Sequence, residues 1–209
     1  MSSRLHRLSA AGVSVWADSL SRDLLETGEL ARLLAEDAIV GVTSNPTIFQ
    51  KALASGERYD AQLRELAAAG VDGPAELFWA LAVTDVRAAC DLLRPVWEQT
   101  AGGDGYVSLE VDPTLAYDRE RTYEEAMRLH GLVERPNLLV KIPATRPGLG
   151  AIEEPRSIEG GSRQIAADPR EQQVCRRSKP PQPGEAPVAE PRVDAEGGDP
   201  APGRLVKML

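Results

Sequence analysis

The sequence predicts an α/β protein built on a parallel sheet, and three observations carry that reading. Short β-branched or apolar runs alternate with longer alanine- and leucine-rich stretches from residue 13 onward. The last such run, NLLVKIPAT, is apolar at consecutive positions, as expected of a parallel strand covered by helices. All nine aromatic residues lie before position 124, so the core must come from the first three quarters of the 209-residue chain.

The elements follow in order. VSVWAD (13–18) is a short apolar run ending in an acid and reads as a strand; the serines of SLSRD after it can cap a helix. SRDLLETGELARLLAEDA spaces its leucines by three and four, with Gly28 interrupting, and reads as helix. IVGVTSNPTIF returns to β-branched residues and reads as a strand followed by a turn at Asn45-Pro46. Residues 57–69 and 74–101 are alanine- and leucine-rich with interspersed charges, and both read as helices. A GGDG turn leads into the strand YVSLEVDP; RERTYEEAMRLHGLVE is then a helix with i,i+4 charge pairs, and NLLVKIPAT is the final strand. Four strands with intervening helices make half of an eight-stranded barrel, which takes about 250 residues, or a small doubly wound sheet.

From Pro155 the composition changes. The last 55 residues hold nine prolines, six glycines and no aromatic residue, so residues 1–154 are expected to fold and 155–209 to form a disordered tail that adds no strand.

Charge and cysteine usage exclude several function classes. The net charge is −8, and the acidic excess lies in residues 1–154, which disfavours binding to a nucleic-acid backbone or an anionic lipid surface. Cys90 and Cys175 are the only cysteines and neither has metal-ligand spacing around it, so no disulfide framework and no metal site is expected. No run of 18 apolar residues and no signal-peptide core occurs, which fits a soluble protein of the reducing cytoplasm. No phosphate-cradling glycine loop is present, so no nucleotide cofactor is expected. His6 and His130 lack partners at catalytic or metal spacing, and Cys90, among alanines, reads as a core residue.

The chemistry-bearing candidates are few. Residues 1–154 contain thirteen arginines and two lysines, Lys51 and Lys141. Arginine cannot serve as an amine nucleophile, whereas a lysine flanked by Val140 and Ile142 can be desolvated and attack a carbonyl; the competing reading is a lysine snorkelling to solvent. Asp18 and Glu110 both fall near strand ends, where parallel barrels assemble active sites, and there they could shuttle protons. A helix cap or a surface acid is the plainer role for either. Glu110 sits between apolar Leu109 and Val111, which makes a solvated position less natural. Thr43 and Asn45 follow a strand directly and could face a polyol, or Asn45 could cap a helix.

Together, VWADSLSRDLL, GVTSNPTIF, SLEVDP and NLLVKIPATRPGLGAIEE strongly resemble the front part of the transaldolases over residues 13–154. The resemblance implies a (β/α)8 TIM barrel, incomplete here with its first four β/α units. It also implies transfer of a dihydroxyacetone unit between sugar phosphates in the pentose phosphate pathway, without cofactor. On it, Lys141 matches the Schiff-base lysine and Asp18 the acid/base of carbon–carbon cleavage. Glu110 matches the glutamate that works with a water, and Asn45 and Ser108 match positions lining the dihydroxyacetone pocket, with Thr43 a weaker match. Two alternatives stand beside it: another Schiff-base aldolase on the same scaffold, and a non-catalytic fragment whose KPPQP-containing tail engages a partner. Sugar phosphates are the expected partners; oligomeric state is not specified by the sequence.

After AIEE the family pattern should run on into a helix and an NVTLIF-like strand, but PRSIEGGSRQIAADPRE follows instead, which points to a disrupted reading frame. Four strands without their covering partners should leave the chain prone to aggregate or partly molten, with little transaldolase turnover. Translating the two other frames downstream of the Glu154 codon should reveal NVTLIF-like text; its absence from both would rule out a frame disruption.

Overall fold

The computed structural model describes residues 3–54, 57–153 and 205–208. Its centre is a five-stranded parallel sheet of β1 (Val13–Ala17), β2 (Ile39–Thr43), β3 (Tyr106–Glu110), β4 (Leu138–Lys141) and β5 (Leu205–Met208), in the order β4-β3-β2-β1-β5. The first four strands are neighbours in chain order. A right-handed crossover repeated without reversal produces that order in a barrel, whereas a doubly wound sheet of these four would reverse it.

The helices are α1 (Arg4–Ala10), α2 (Arg22–Glu26), α3 (Glu29–Glu36), α4 (Pro46–Ala54), α5 (Asp60–Ala68), α6 (Pro74–Gln99), α7 (Arg119–Val133) and α8 (Arg146–Glu153). Single 3₁₀ turns occupy Glu57–Tyr59 and Pro113–Leu115. The first four strands and the helices α2, α3, α5, α6 and α7 fall where the sequence places them. Gly28, at φ 76°, splits the leucine-rich stretch into α2 and α3, a conformation that other residues adopt only with strain.

One core joins the sheet to the helices. Val42, Val107, Leu109, Val111, Leu138, Val140 and Ile142 pack with Leu30 of α3, Val86, Ala89 and Leu93 of α6, and Ala126 and Leu129 of α7. From β3 and β4 only alternate residues enter this core, because strand side chains point alternately to the two faces. The opposite face carries Trp16, Gly41, Thr43, Ser108, Glu110 and Lys141. There the Trp16 ring lies so close over Gly41 that a Cβ on that residue would clash with the indole.

Three sequence expectations change. The turn after β2 opens α4 directly, with Pro46 at its first position, where a missing N–H costs nothing. α1 and α8 were not expected. The tail contributes a strand after all: residues 205–208 pair in parallel with β1, from Val13 opposite Leu205 to Trp16 opposite Met208. Backbone pairing suffices there, because β1 otherwise presents an open row of N–H and C=O groups. The disorder expected for the rest of 155–209, and Cys175, lie outside the described residues.

Gly41→Ala should lower stability by about 1–3 kcal/mol, the usual cost of overpacking, and urea unfolding will measure it. Burial pushes the fully enclosed Cys90 thiol up to about 12, so a thiol reagent should leave Cys90 unlabelled in the native chain and modify it in urea.

Candidate active site

The register of β3 against β4 sets Glu110 directly opposite Lys141. Lys141 Nζ lies 3.4 Å from Glu110 Oε2, and both side chains are partly shielded, at 33% and 19% exposure. Their sequence neighbours do not enclose them. Val140, Ile142, Leu109 and Val111 are all buried in the helix-covered core on the other face, so the expectation that they desolvate the lysine and the glutamate fails by strand alternation.

The same face carries the hydroxyl candidates. Thr43 pairs with Ser108 in the β2–β3 ladder, and their side-chain oxygens are 3.0 Å apart, both buried. Ser44 reinforces this crossing, since its backbone N–H and its hydroxyl both donate to the Ser108 carbonyl, at 3.0 and 2.8 Å. Asn45 Oδ1 accepts the Ile48 N–H at 2.9 Å and so caps α4. The capping role proposed as an alternative is therefore real, yet it occupies only the amide oxygen.

Asp18 follows β1, one residue beyond the Ala17–Val42 pair, which sets it beside Thr43 along the sheet. It is exposed and lines a cleft of about 910 Å³ with Ser21, Lys51, Arg58 and Tyr59, among others. Asp18, Thr43, Ser108, Glu110 and Lys141 thus run in a row across the carboxyl end of the sheet. This is where loops and strand ends of parallel barrels converge. The structure brings Lys141 together with Glu110, and Thr43 together with Ser108, while Asp18 and Asn45 hold the flank.

Sequence reasoning missed a buried polar network beside this row. Arg22 Nε donates to Asp85 Oδ1 at 2.6 Å, and Tyr59 Oη donates to Asp85 Oδ2 at 2.8 Å. Asp85 is 1% exposed; burial pushes its carboxyl above the usual range, and the hydrogen bonds from Arg22 and Tyr59 oppose that rise. The available signal was an acid at position 85 within the otherwise apolar run ALAVTDV.

Among the described residues no helix is long and apolar enough to cross a membrane. Residues 15–159 match the family described as Transaldolase/Fructose-6-phosphate aldolase. Similar curated proteins include the transaldolase of Frankia alni, 58% identical over 154 residues, which are 74% of this chain and 41% of that protein. The transaldolase of Thermobifida fusca is 58% identical over 152 residues, 73% of this chain and 41% of its own length. That of Mycobacterium tuberculosis is 55% identical over 148 residues, 71% and 39% of the respective chains. The chain therefore spans about two fifths of the length of these relatives. A sequential parallel sheet with Glu110 and Lys141 side by side at its carboxyl end and a match over residues 15–159 agree: the chain belongs to the transaldolase/fructose-6-phosphate aldolase family and carries the first part of its (β/α)8 barrel.

Proposed function

We propose that this chain carries the Schiff-base centre of a transaldolase, with Lys141 as nucleophile toward a ketose phosphate. The observation that supports it most directly is the 3.4 Å approach of Lys141 Nζ to Glu110 Oε2 on the face that also carries the Thr43 and Ser108 hydroxyls. The amine attacks the ketose carbonyl to give a carbinolamine. Loss of water then gives an imine, and Glu110, through a bound water, moves the protons this dehydration requires.

The protonated imine at C2 of the ketose draws electrons out of the C3–C4 bond. Asp18 takes the proton from the C4 hydroxyl, the C3–C4 bond breaks to leave a three-carbon enamine on the lysine, and an aldose phosphate departs. The three-carbon unit stays on Lys141 as an enamine until a second aldose phosphate accepts it, with the proton returned from Asp18. Asn45 keeps its amide N–H groups for donation to substrate hydroxyls, and Ser108 with Thr43 offers hydroxyls on the same face. A reducing cytoplasm suits this work, since no step needs an oxidant.

Incubation with fructose 6-phosphate and borohydride should fix a stable adduct on the peptide bearing Lys141, read by mass spectrometry. Lys141→Arg should abolish the adduct, because a guanidinium stays protonated. An adduct spread over Lys51 and the tail lysines, or none at all, would overturn the proposal. Glu110→Gln should slow adduct formation by on the order of 10²-fold, within the range expected for lost proton transfer, with unfolding in urea little changed. Adding erythrose 4-phosphate separates the two Schiff-base readings: a transaldolase passes the three-carbon unit to it, whereas an aldolase releases that unit as free dihydroxyacetone.

A further inference from the structure

The loop after β1 carries Asp18, and its longest-range polar contacts run through Arg22. Leu20 is fully buried in the core, and Ser21 caps α2 by accepting the Leu24 N–H at 3.2 Å. The Arg22 backbone N–H donates to Tyr59 Oη at 2.9 Å, while its side chain, 12% exposed, donates Nε to Asp85 and Nη2 to Gln62 Oε1 at 2.7 Å. The guanidinium also lies over the Tyr59 ring, 4.7 Å from its centroid. Outside this layer, Arg58 pairs with Asp23 at 2.9 Å and Glu26 at 2.8 Å, tying α2 to the same 3₁₀ turn that bears Tyr59.

Burying an arginine, an aspartate and a tyrosine together is a poor way to add stability, since an apolar cluster of equal volume would do as well or better. What such a cluster cannot supply is direction. Two fixed oxygens on Asp85, on the long helix packed against β2 and β3, define where Arg22 and Tyr59 sit, and Asp18 lies only four residues before Arg22. Tyr59 and Asp18 also line the same cleft.

We infer that Arg22, clamped by Asp85 and Tyr59, is a positioning residue that fixes the β1–α2 loop so that Asp18 meets the substrate hydroxyl. The inference rests on the Schiff-base reading given above. It divides the reaction: imine formation at Lys141 and Glu110, on β4 and β3, does not depend on the clamp, whereas carbon–carbon cleavage by Asp18 does.

Borohydride trapping of the full chain with fructose 6-phosphate reads that division directly. Wild type should yield chiefly the three-carbon adduct on Lys141. Tyr59→Phe, which keeps the ring beneath the guanidinium, and Arg22→Gln should form total adduct at the wild-type rate but shift it to the uncleaved six-carbon form, with cleavage slowed about 10²-fold. Arg22→Lys should restore part of the cleavage, because an ammonium reaches Asp85 but cannot hold Gln62 as well. A wild-type ratio of three- to six-carbon adducts in both Tyr59→Phe and Arg22→Gln overturns the inference. Amide hydrogen exchange supplies a measurement independent of chemistry: in Tyr59→Phe, residues 18–22 should exchange at least about tenfold faster while β3 and β4 stay unchanged. If wild type traps no adduct, the Schiff-base reading falls, and unchanged exchange at 18–22 would then overturn the clamp as well.

Discussion

The pairing of β3 with β4, which sets Glu110 against Lys141, is the constraint on which the rest of the molecule depends. With a side-chain period of two, that one pairing commits Leu109, Val111, Val140 and Ile142 to the helices and leaves the glutamate and lysine on the other face. A slip of one residue in either strand would turn its charge toward α6 and α7 and expose two of the four aliphatic side chains. The hydrophobic core and the chemical site are thus two consequences of one register. Neither can be changed without the other.

Polar groups hold the ends of the sheet where hydrophobic contact alone would allow sliding. At the amino end, buried Asn137 donates to the carbonyls of Cys90 and Gly105 at 2.8 and 2.9 Å, tying the start of β4 to α6 and to the entry of β3. Ser14 on β1 donates to Asp104 at 2.5 Å, joining the first strand to the same turn. At the carboxyl end, the Thr43–Ser108 pair and Ser44 lock β2 to β3, and Arg22–Asp85–Tyr59 locks the loop after β1 to α6. Hydrogen bonds are directional, and buried donors and acceptors are expensive to leave unmade, so each of these contacts specifies a geometry more than it adds net stability.

The sheet is also shaped by its edges. β4 has β3 as its only partner among the described residues, while β1 has β2 on one side and β5 on the other. A strand drawn from residues 205–208 thus occupies the side of β1 away from β2, where a closed barrel would have its last strand. Composition argues against such a strand, because proline and glycine dominate the stretch before it. Strand pairing at an open edge needs only four residues of backbone, too short a signal for composition to register.

By itself the sequence determined the order of the first four strands and of α2, α3, α5, α6 and α7, the parallel character of the sheet, and the placing of Asp18, Glu110 and Lys141 near strand ends, since these depend on local periodicity. It also carried, in Asn45-Pro46, the cap and first residue of α4, although these read equally well as a turn. Tertiary structure alone decided which helices cover Val140 and Ile142 on the face away from Lys141, and that Asp85 reaches across to Arg22 and Tyr59. Those outcomes depend on which face of a strand meets which helix and on contacts between residues dozens of positions apart. No local window contains that information, because the energy that selects it is released only when the sheet and its helices close on each other.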